Sequence, residues 1–321
     1  MSVRLLGAGD IRDIAGALGV RPTKKLGQNF VVEQGTVRQI AAIAEPRAGD
    51  VVLEVGPGLG SLTLALLERA AEADARLVAV EIDPVLAKAL PETIAARAPD
   101  AAARVGVVLA DALRVNAADL AVRPVPDAGP VPPPAGAPAA GSGAPTMLAA
   151  NLPYNVAVPV VLHLLETLPS LERGVVMVQA EVADRMCAEP GSRVYGVPSA
   201  KIAWYATAKP AGTVPRSVFW PVPNVDSKLV SFQRHQPPEA LSDEANRRET
   251  FRVIDAAFGQ RRKTLRAALA GWAGSAPEAE KLLRAAAVDP SARGESLGIA
   301  EFTRIAAQRP RGAEGGRGGG I

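Results

Sequence analysis

Val51-Val52-Leu53-Glu54-Val55-Gly56-Pro57-Gly58-Leu59-Gly60 is the stretch on which the reading of this chain turns. Four apolar residues and one acid run into three closely spaced glycines. A helical pattern follows at once, with Leu62, Leu66 and Leu67 on one face of 61–73. A short apolar strand, a glycine-rich turn and a helix make the opening unit of a doubly wound parallel sheet. Strands of such a sheet are buried on both faces and need not alternate. Outward from this unit the pattern repeats. Leu77–Val80 ends in Glu81-Ile82-Asp83-Pro84, and Pro84 suits the first turn of a helix over 85–96. Val105–Ala110 ends at Asp111, Met147–Ala150 ends at Asn151, and Gly174–Val178 is a fifth run. Strands alternating with helices predict an α/β fold. Ligands of such folds sit beyond the carboxyl ends of the strands, where Glu54, Glu81, Asp111 and Asn151 all lie.

The glycine turn selects among ligands. Its spacing is Gly-x-Gly-x-Gly, not the Gly-x-Gly-x-x-Gly of dinucleotide sites, and it lacks the lysine of a P-loop. An acid precedes the glycines, which suits a cationic ligand better than a pyrophosphate. S-adenosylmethionine meets these demands: an amino group, a sulfonium, a ribose and an adenine, with no phosphate. Gly56 and Gly58 would let the backbone approach it, and Glu54 would offset its charge. Glu81 would accept from the ribose hydroxyls, Ile82 would cover an adenine face, and Asp111 would accept from the adenine amino group. The competing reading is that these acids merely cap the helices that follow them.

Asn151-Leu152-Pro153-Tyr154 offers an amide, a freed carbonyl of Leu152 or Pro153, and an aromatic face. A base with an exocyclic amino group needs acceptors for its two N–H bonds and a ring to stack on. The chemistry expected is positioning and electrostatic, without a general base. Phe219, between Val214-Pro215 and Pro221-Val222-Pro223, is a candidate for the second stacking face or else a core aromatic.

The 321 residues suffice for two domains, and 48% are hydrophobic. One cysteine, Cys187, excludes an internal disulfide and a cysteine cluster, and two separated histidines suggest no metal site. No apolar run reaches membrane-spanning length and no secretory signal is visible, so a cytoplasmic monomer without membrane contact is expected. Residues 124–145 are almost wholly Pro, Ala and Gly, which reads as a flexible insertion. The expected division is a catalytic domain over 1–236, a helical RNA-binding domain over 237–308, and a disordered Gly/Arg-rich tail over 309–321. Lys24 and Lys25, with Arg261, Arg262, Lys263 and Arg266 at a helix start, are candidate phosphate contacts or a solvated face.

These blocks, with Lys25–Phe30, Gln179–Arg185, Val225-Asp226-Ser227 and Phe258–Arg266, are similar to those of the small-subunit (16S) ribosomal RNA adenine dimethyltransferases of bacteria and their eukaryotic relatives. The resemblance spans about 24–302. It implies a Rossmann-like seven-stranded sheet with a small all-α C-terminal domain. It also implies dimethylation of two adjacent adenines near the 3′ end of small-subunit rRNA, within an assembling 30S particle. Asn29 and the backbone of Val31 would then join Gly56, Glu81, Asp111 and Asn151 around the methyl donor. Val197-Pro198 departs from the Arg-Leu common in the family, which puts an arginine contact there in doubt. The alternatives are a large-subunit rRNA adenine methyltransferase conferring antibiotic resistance, or a non-catalytic assembly or transcription factor.

Overall fold

The computed structural model describes residues 3–20, 29–120, 143–153, 156–236 and 244–309. Its strands are β1 (Phe30–Val31), β2 (Val51–Val55), β3 (Arg76–Glu81), β4 (Val105–Leu109), β5 (Met147–Asn151), β6 (Arg173–Gln179), β7 (Ala206–Val214), β8 (Phe219–Trp220) and β9 (Ser227–Arg234). Seven of them form one sheet in the order β4-β3-β2-β5-β6-β9-β7. β2 pairs in parallel with both β3 and β5, β3 with β4, and β5 with β6; β9 runs antiparallel to β6. This is the doubly wound α/β sheet read from the apolar runs. β2 is covered on both faces, which is why it carries a continuous apolar run.

The order reverses at β2. The chain passes from β2 to β3 and β4 on one side, then returns to β5 on the other. The carboxyl ends of β2 and β5 therefore flank a crevice, the place where open α/β sheets bind ligands. Helix Ser61–Ala73 leaves this crevice with Gly60 in a left-handed conformation, φ 97°, as its N-cap. Helix Pro84–Arg97 begins at Pro84, and the Asp83 side chain accepts from the amides of Val85 and Leu86. Outside the main sheet, β1 and β8 pair antiparallel as a ribbon, Phe30 opposite Trp220 and Val31 opposite Phe219.

The described chain falls into two compact units. One comprises residues up to Asp184 with Thr207–Arg234, and the other Arg185–Ala206 with the residues from His235 onward. This differs from a single boundary at 236. The reason is a non-local core: Tyr195 and Ala200 pack with Val253, Ile254, Leu265, Leu283 and Phe302. The Tyr195 hydroxyl donates to the Leu297 carbonyl at 2.9 Å, and burial pushes its pKa up to about 12. Val197 opens helix Val197–Tyr205 and packs against the same core. The helical pattern after 244 breaks at Gly259, so Arg261, Arg262 and Lys263 lie in a turn, and Arg266 lies in the short helix Leu265–Ala268. Residues 121–142, which include most of the 124–145 insertion, and the tail from 310 lie outside the described residues.

Candidate active site

The crevice holds a cavity of about 290 Å3. Asn29, Val31, Glu54, Gly56, Gly58, Glu81, Ile82 and Asp111 line it, together with Asn151, Leu152 and Pro153. Residues from five separate stretches thus meet in one space. Tyr154, Lys24 and Lys25 lie outside the described residues.

The glycine turn owes its shape to Gly58. Its φ is +58°, and a Cβ there would stand 2.9 Å from the Phe30 ring. Any side chain would meet both strain and a rigid aromatic. The Gly58 amide donates to Glu81 Oε2, and the Asp83 amide donates to Glu81 Oε1, each at 3.0 Å. Glu81 therefore ties the first glycine turn to the end of β3 while keeping further lone pairs on both oxygens. Burial raises its pKa, and the amides of Asp83 and Gly58 oppose that shift.

Glu54 is 1% exposed, and its Oε2 has no hydrogen-bond partner. Burial pushes its pKa up to about 8; the neighbouring Thr63 hydroxyl opposes the shift and the Glu81 charge adds to it. A buried carboxyl oxygen without a hydrogen bond is costly unless something else meets it. A cationic ligand in the cavity would do so.

The capping alternative can now be judged acid by acid. Glu81 is not the cap of the following helix, because Asp83 is. Glu54 is not a cap either, since Gly60 holds that position for Ser61–Ala73. Asp111 does serve its own turn: Oδ1 accepts from the Leu113 amide at 2.9 Å, and Oδ2 stands 3.8 Å from Arg114 Nε. Its side chain is 37% exposed, so it can still accept from a ligand. Ile82 is 54% exposed at the rim, an apolar side chain with room for a flat ring on it.

At the end of β5, Asn151 Nδ2 donates to the Asn29 carbonyl at 3.1 Å. A carbonyl can only accept, so this contact fixes which way the amide faces. Oδ1 is left without a partner among the described residues. The Leu152 amide donates to the Met177 carbonyl, and the Pro153 carbonyl accepts from Val156 at 3.2 Å. Of the two carbonyls left open by the sequence, that of Leu152 is the one without a hydrogen-bond donor among the described residues.

Phe219 requires a correction. It is 2% exposed, packs in the main core and does not line the cavity. Its pairing with Val31 turns the ring inward, so the core-aromatic alternative describes it. Phe30, which sequence reasoning passed over, lines the cavity in its place. The signal was available: an aromatic next to Asn29, and a glycine turn that needs a flat neighbour. Val156 and Val160, one helical turn apart in Ala157–Thr167 and its N-cap, close another wall.

In the second unit, Arg261 pairs with Glu295 and donates to the Arg193 carbonyl, and Arg266 pairs with Glu280. Arg262 and Lys263 are exposed, and neither side chain has a partner among the described residues. No described helix is long and apolar enough to cross a membrane.

Comparison with known proteins places the chain. A profile of the family described as ribosomal RNA adenine dimethylase matches residues 20–308. The ribosomal RNA small subunit methyltransferase A of Kineococcus radiotolerans is 60% identical over 96% of this chain and 93% of its own length. That of Streptomyces avermitilis is 59% identical over 95% of this chain and 94% of its own. Among solved structures, the 23S rRNA methyltransferase ErmE superposes with a TM-score of 0.57 at 26% identity, over 87% of this chain and 98% of its own. A dimethyladenosine transferase from Plasmodium falciparum shares the fold, with a TM-score of 0.63 at 20% identity, over 85% of this chain and 94% of its own. With the profile and these relatives spanning nearly all of its length, the chain belongs to the ribosomal RNA adenine dimethylase family.

Proposed function

We propose that the chain transfers methyl groups to the amino nitrogens of adenines in small-subunit (16S) ribosomal RNA, two on each of two adjacent adenines, within an assembling 30S particle. The observation that carries this is at the end of β5. An oriented Asn151 Oδ1 and an uncommitted Leu152 carbonyl share one cavity with Glu54 and Glu81.

The residues fit S-adenosylmethionine. The unpartnered Glu54 oxygen suits its cationic end, Glu81 the ribose hydroxyls, and Ile82 and Asp111 the adenine. Asn29 and the backbone of Val31 border the same space. When bound, it supplies an electrophilic methyl group on a sulfonium. The protein's task is to prepare the acceptor. An adenine amino group is a weak nucleophile because its lone pair is delocalised into the ring. Asn151 Oδ1 and the Leu152 carbonyl would accept its two N–H bonds, favouring a pyramidal nitrogen with its lone pair aimed along one line. Tyr154 is the stacking face in this reading. The proton lost after methylation passes to water in this reading, since Asn151-Leu152-Pro153-Tyr154 holds no His, Cys or Lys. Arg262 and Lys263 are proposed phosphate contacts, since they alone of the candidate cations in the turn are not engaged by acids or carbonyls. A monomer is the proposed form.

A large-subunit substrate is the weaker reading. Curated relatives at 55–60% identity carry the small-subunit name, whereas ErmE stands at 26%. Single-turnover methyl transfer settles the choice. Unmodified 30S particles should be methylated and 23S RNA should not, and Asn151→Ala should slow transfer by about a hundredfold or more. Transfer by Asn151→Ala at the wild-type rate would sink the proposed role of the amide.

A further inference from the structure

Among the described residues the Asn151 amide is held by one backbone atom, the Asn29 carbonyl. What holds that carbonyl is therefore a question about catalysis. On its C-terminal side the answer is β1, which begins at the next residue. β1 is only two residues long and does not belong to the main sheet. It is held by β8 through the pairs Phe30–Trp220 and Val31–Phe219, extended by the Val32 amide donating to the Val218 carbonyl at 2.8 Å. A ribbon this short has little stability of its own and depends on its side chains.

Those side chains are two aromatics. The rings of Phe30 and Trp220 stack with centroids 6.2 Å apart and an interplanar angle of 25°. The Phe30 ring also lies against Gly58, close enough that a Cβ there would touch it. Phe30 thus touches both the glycine turn and Trp220. Phe219, turned into the core, anchors the far strand of the ribbon.

We infer that Trp220 is a positioning residue for methyl transfer: by stacking on Phe30 it fixes β1, hence the Asn29 carbonyl, hence the Asn151 amide with Oδ1 facing the base. Trp220 does not line the cavity and acts only through this chain of contacts. The inference rests on the reading of Asn151 given above. It assigns a purpose to β8 beyond packing, and it links the Phe219–Ser227 segment to the strand end where the base would sit.

A double-mutant cycle tests it. Rates are taken under single turnover at saturating donor and saturating 30S particles, so that changes in affinity drop out. Trp220→Ala should slow transfer about tenfold, since a small loss of alignment at a reacting centre has effects of this order or larger. Trp220→Phe, which restores a stacking ring, should recover most of the rate. Trp220→Leu keeps apolar bulk without the ring, and should remain as slow as Trp220→Ala. In an Asn151→Ala background there is no amide to orient, and Trp220→Ala should then change the residual rate by less than about twofold. If Asn151→Ala itself is as fast as wild type, the proposed role of the Asn151 amide fails, and the positioning role of Trp220 is overturned with it. If Asn151→Ala is slow but Trp220→Ala costs the same factor in both backgrounds, the function stands and the positioning role is overturned. A Trp220→Leu rate equal to wild type would overturn it as well.

Discussion

The two ends of β2 carry two buried acids that live opposite lives. Asp50, just before the strand, is 8% exposed, and both its oxygens are engaged. Oδ1 accepts from the Thr146 hydroxyl at 2.7 Å and from Arg173, and Oδ2 accepts from Arg173 and from the Arg47 amide. Glu54, near the other end, is 1% exposed and has one oxygen, Oε2, without a hydrogen-bond partner among the described residues. The strand between them is only about 16 Å long at its ordinary rise. The first acid pins β2, β5 and β6 together at their amino ends, through Thr146 and Arg173. The second faces a cavity. Burial alone does not mark a functional acid. A buried acid whose hydrogen bonds are complete belongs to the architecture, and one left incomplete awaits a ligand.

The comparison is broken most forcefully at the amino end. Asp50→Ala would leave the Arg173 guanidinium, whose side chain is 11% exposed, without its counter-charge. Removing one partner of a buried pair typically costs about 3–5 kcal/mol, so chemical denaturation should show a loss of that size. The molecules that remain folded should bind the methyl donor normally, because the cavity is untouched. A loss below about 1 kcal/mol would place this pair among weakly contributing surface pairs and remove the contrast.

At the carboxyl end the order of effects should invert. Glu81→Ala removes two proposed ribose contacts, and it also releases the Gly58 and Asp83 amides that shape the turn. Charge-assisted hydrogen bonds are worth about 1.5–3 kcal/mol, so calorimetry should show donor affinity weakened by that amount. Unchanged affinity in a folded Glu81→Ala protein would take Glu81 out of the site.

The same two ends show what could be read in advance. β2, β3, β4, β5 and β6 announced themselves as apolar runs, and each ended in the polar residue that now borders the cavity, apart from β6. That much is local: a strand buried on both faces must be apolar, and the first polar residue after it marks the edge. What stayed hidden was non-local. β1 and β8 have two residues each, too few for any periodicity, and only their pairing places Phe30 in the cavity and Phe219 in the core. Arg185–Ala206 sits in sequence between strands of the sheet, yet its Tyr195 completes a core built from helices that begin only at Glu244. Whether an acid caps a helix or faces a ligand also depended on a neighbour, since Asp83 relieves Glu81 of that task.

The smallest effect, and the most specific, concerns Glu54. Its pKa is pushed up to about 8 in the folded protein from an ordinary 4.5. Between those values the folded state keeps a proton that the unfolded state releases. Stability therefore falls as pH rises through that window, and the full cost is present only above about pH 8. Glu54→Gln removes the titrating group while keeping its shape. Relative to wild type, the ligand-free variant should gain in melting temperature between pH 6 and pH 9. Donor binding adds the other half of the cycle. A cation beside Glu54 favours the charged carboxylate, so binding near neutral pH should release a proton. Calorimetry in two buffers of different ionisation heat counts that proton. Glu81 is raised too, so the informative quantity is the difference between wild type and Glu54→Gln. Wild type should release more protons than the variant and bind more tightly. Equal proton counts, with equal melting temperatures at pH 9, would mean that the unpartnered oxygen of Glu54 is met by something other than the charge of its ligand, and the contrast between the two ends of β2 would lose its electrostatic basis.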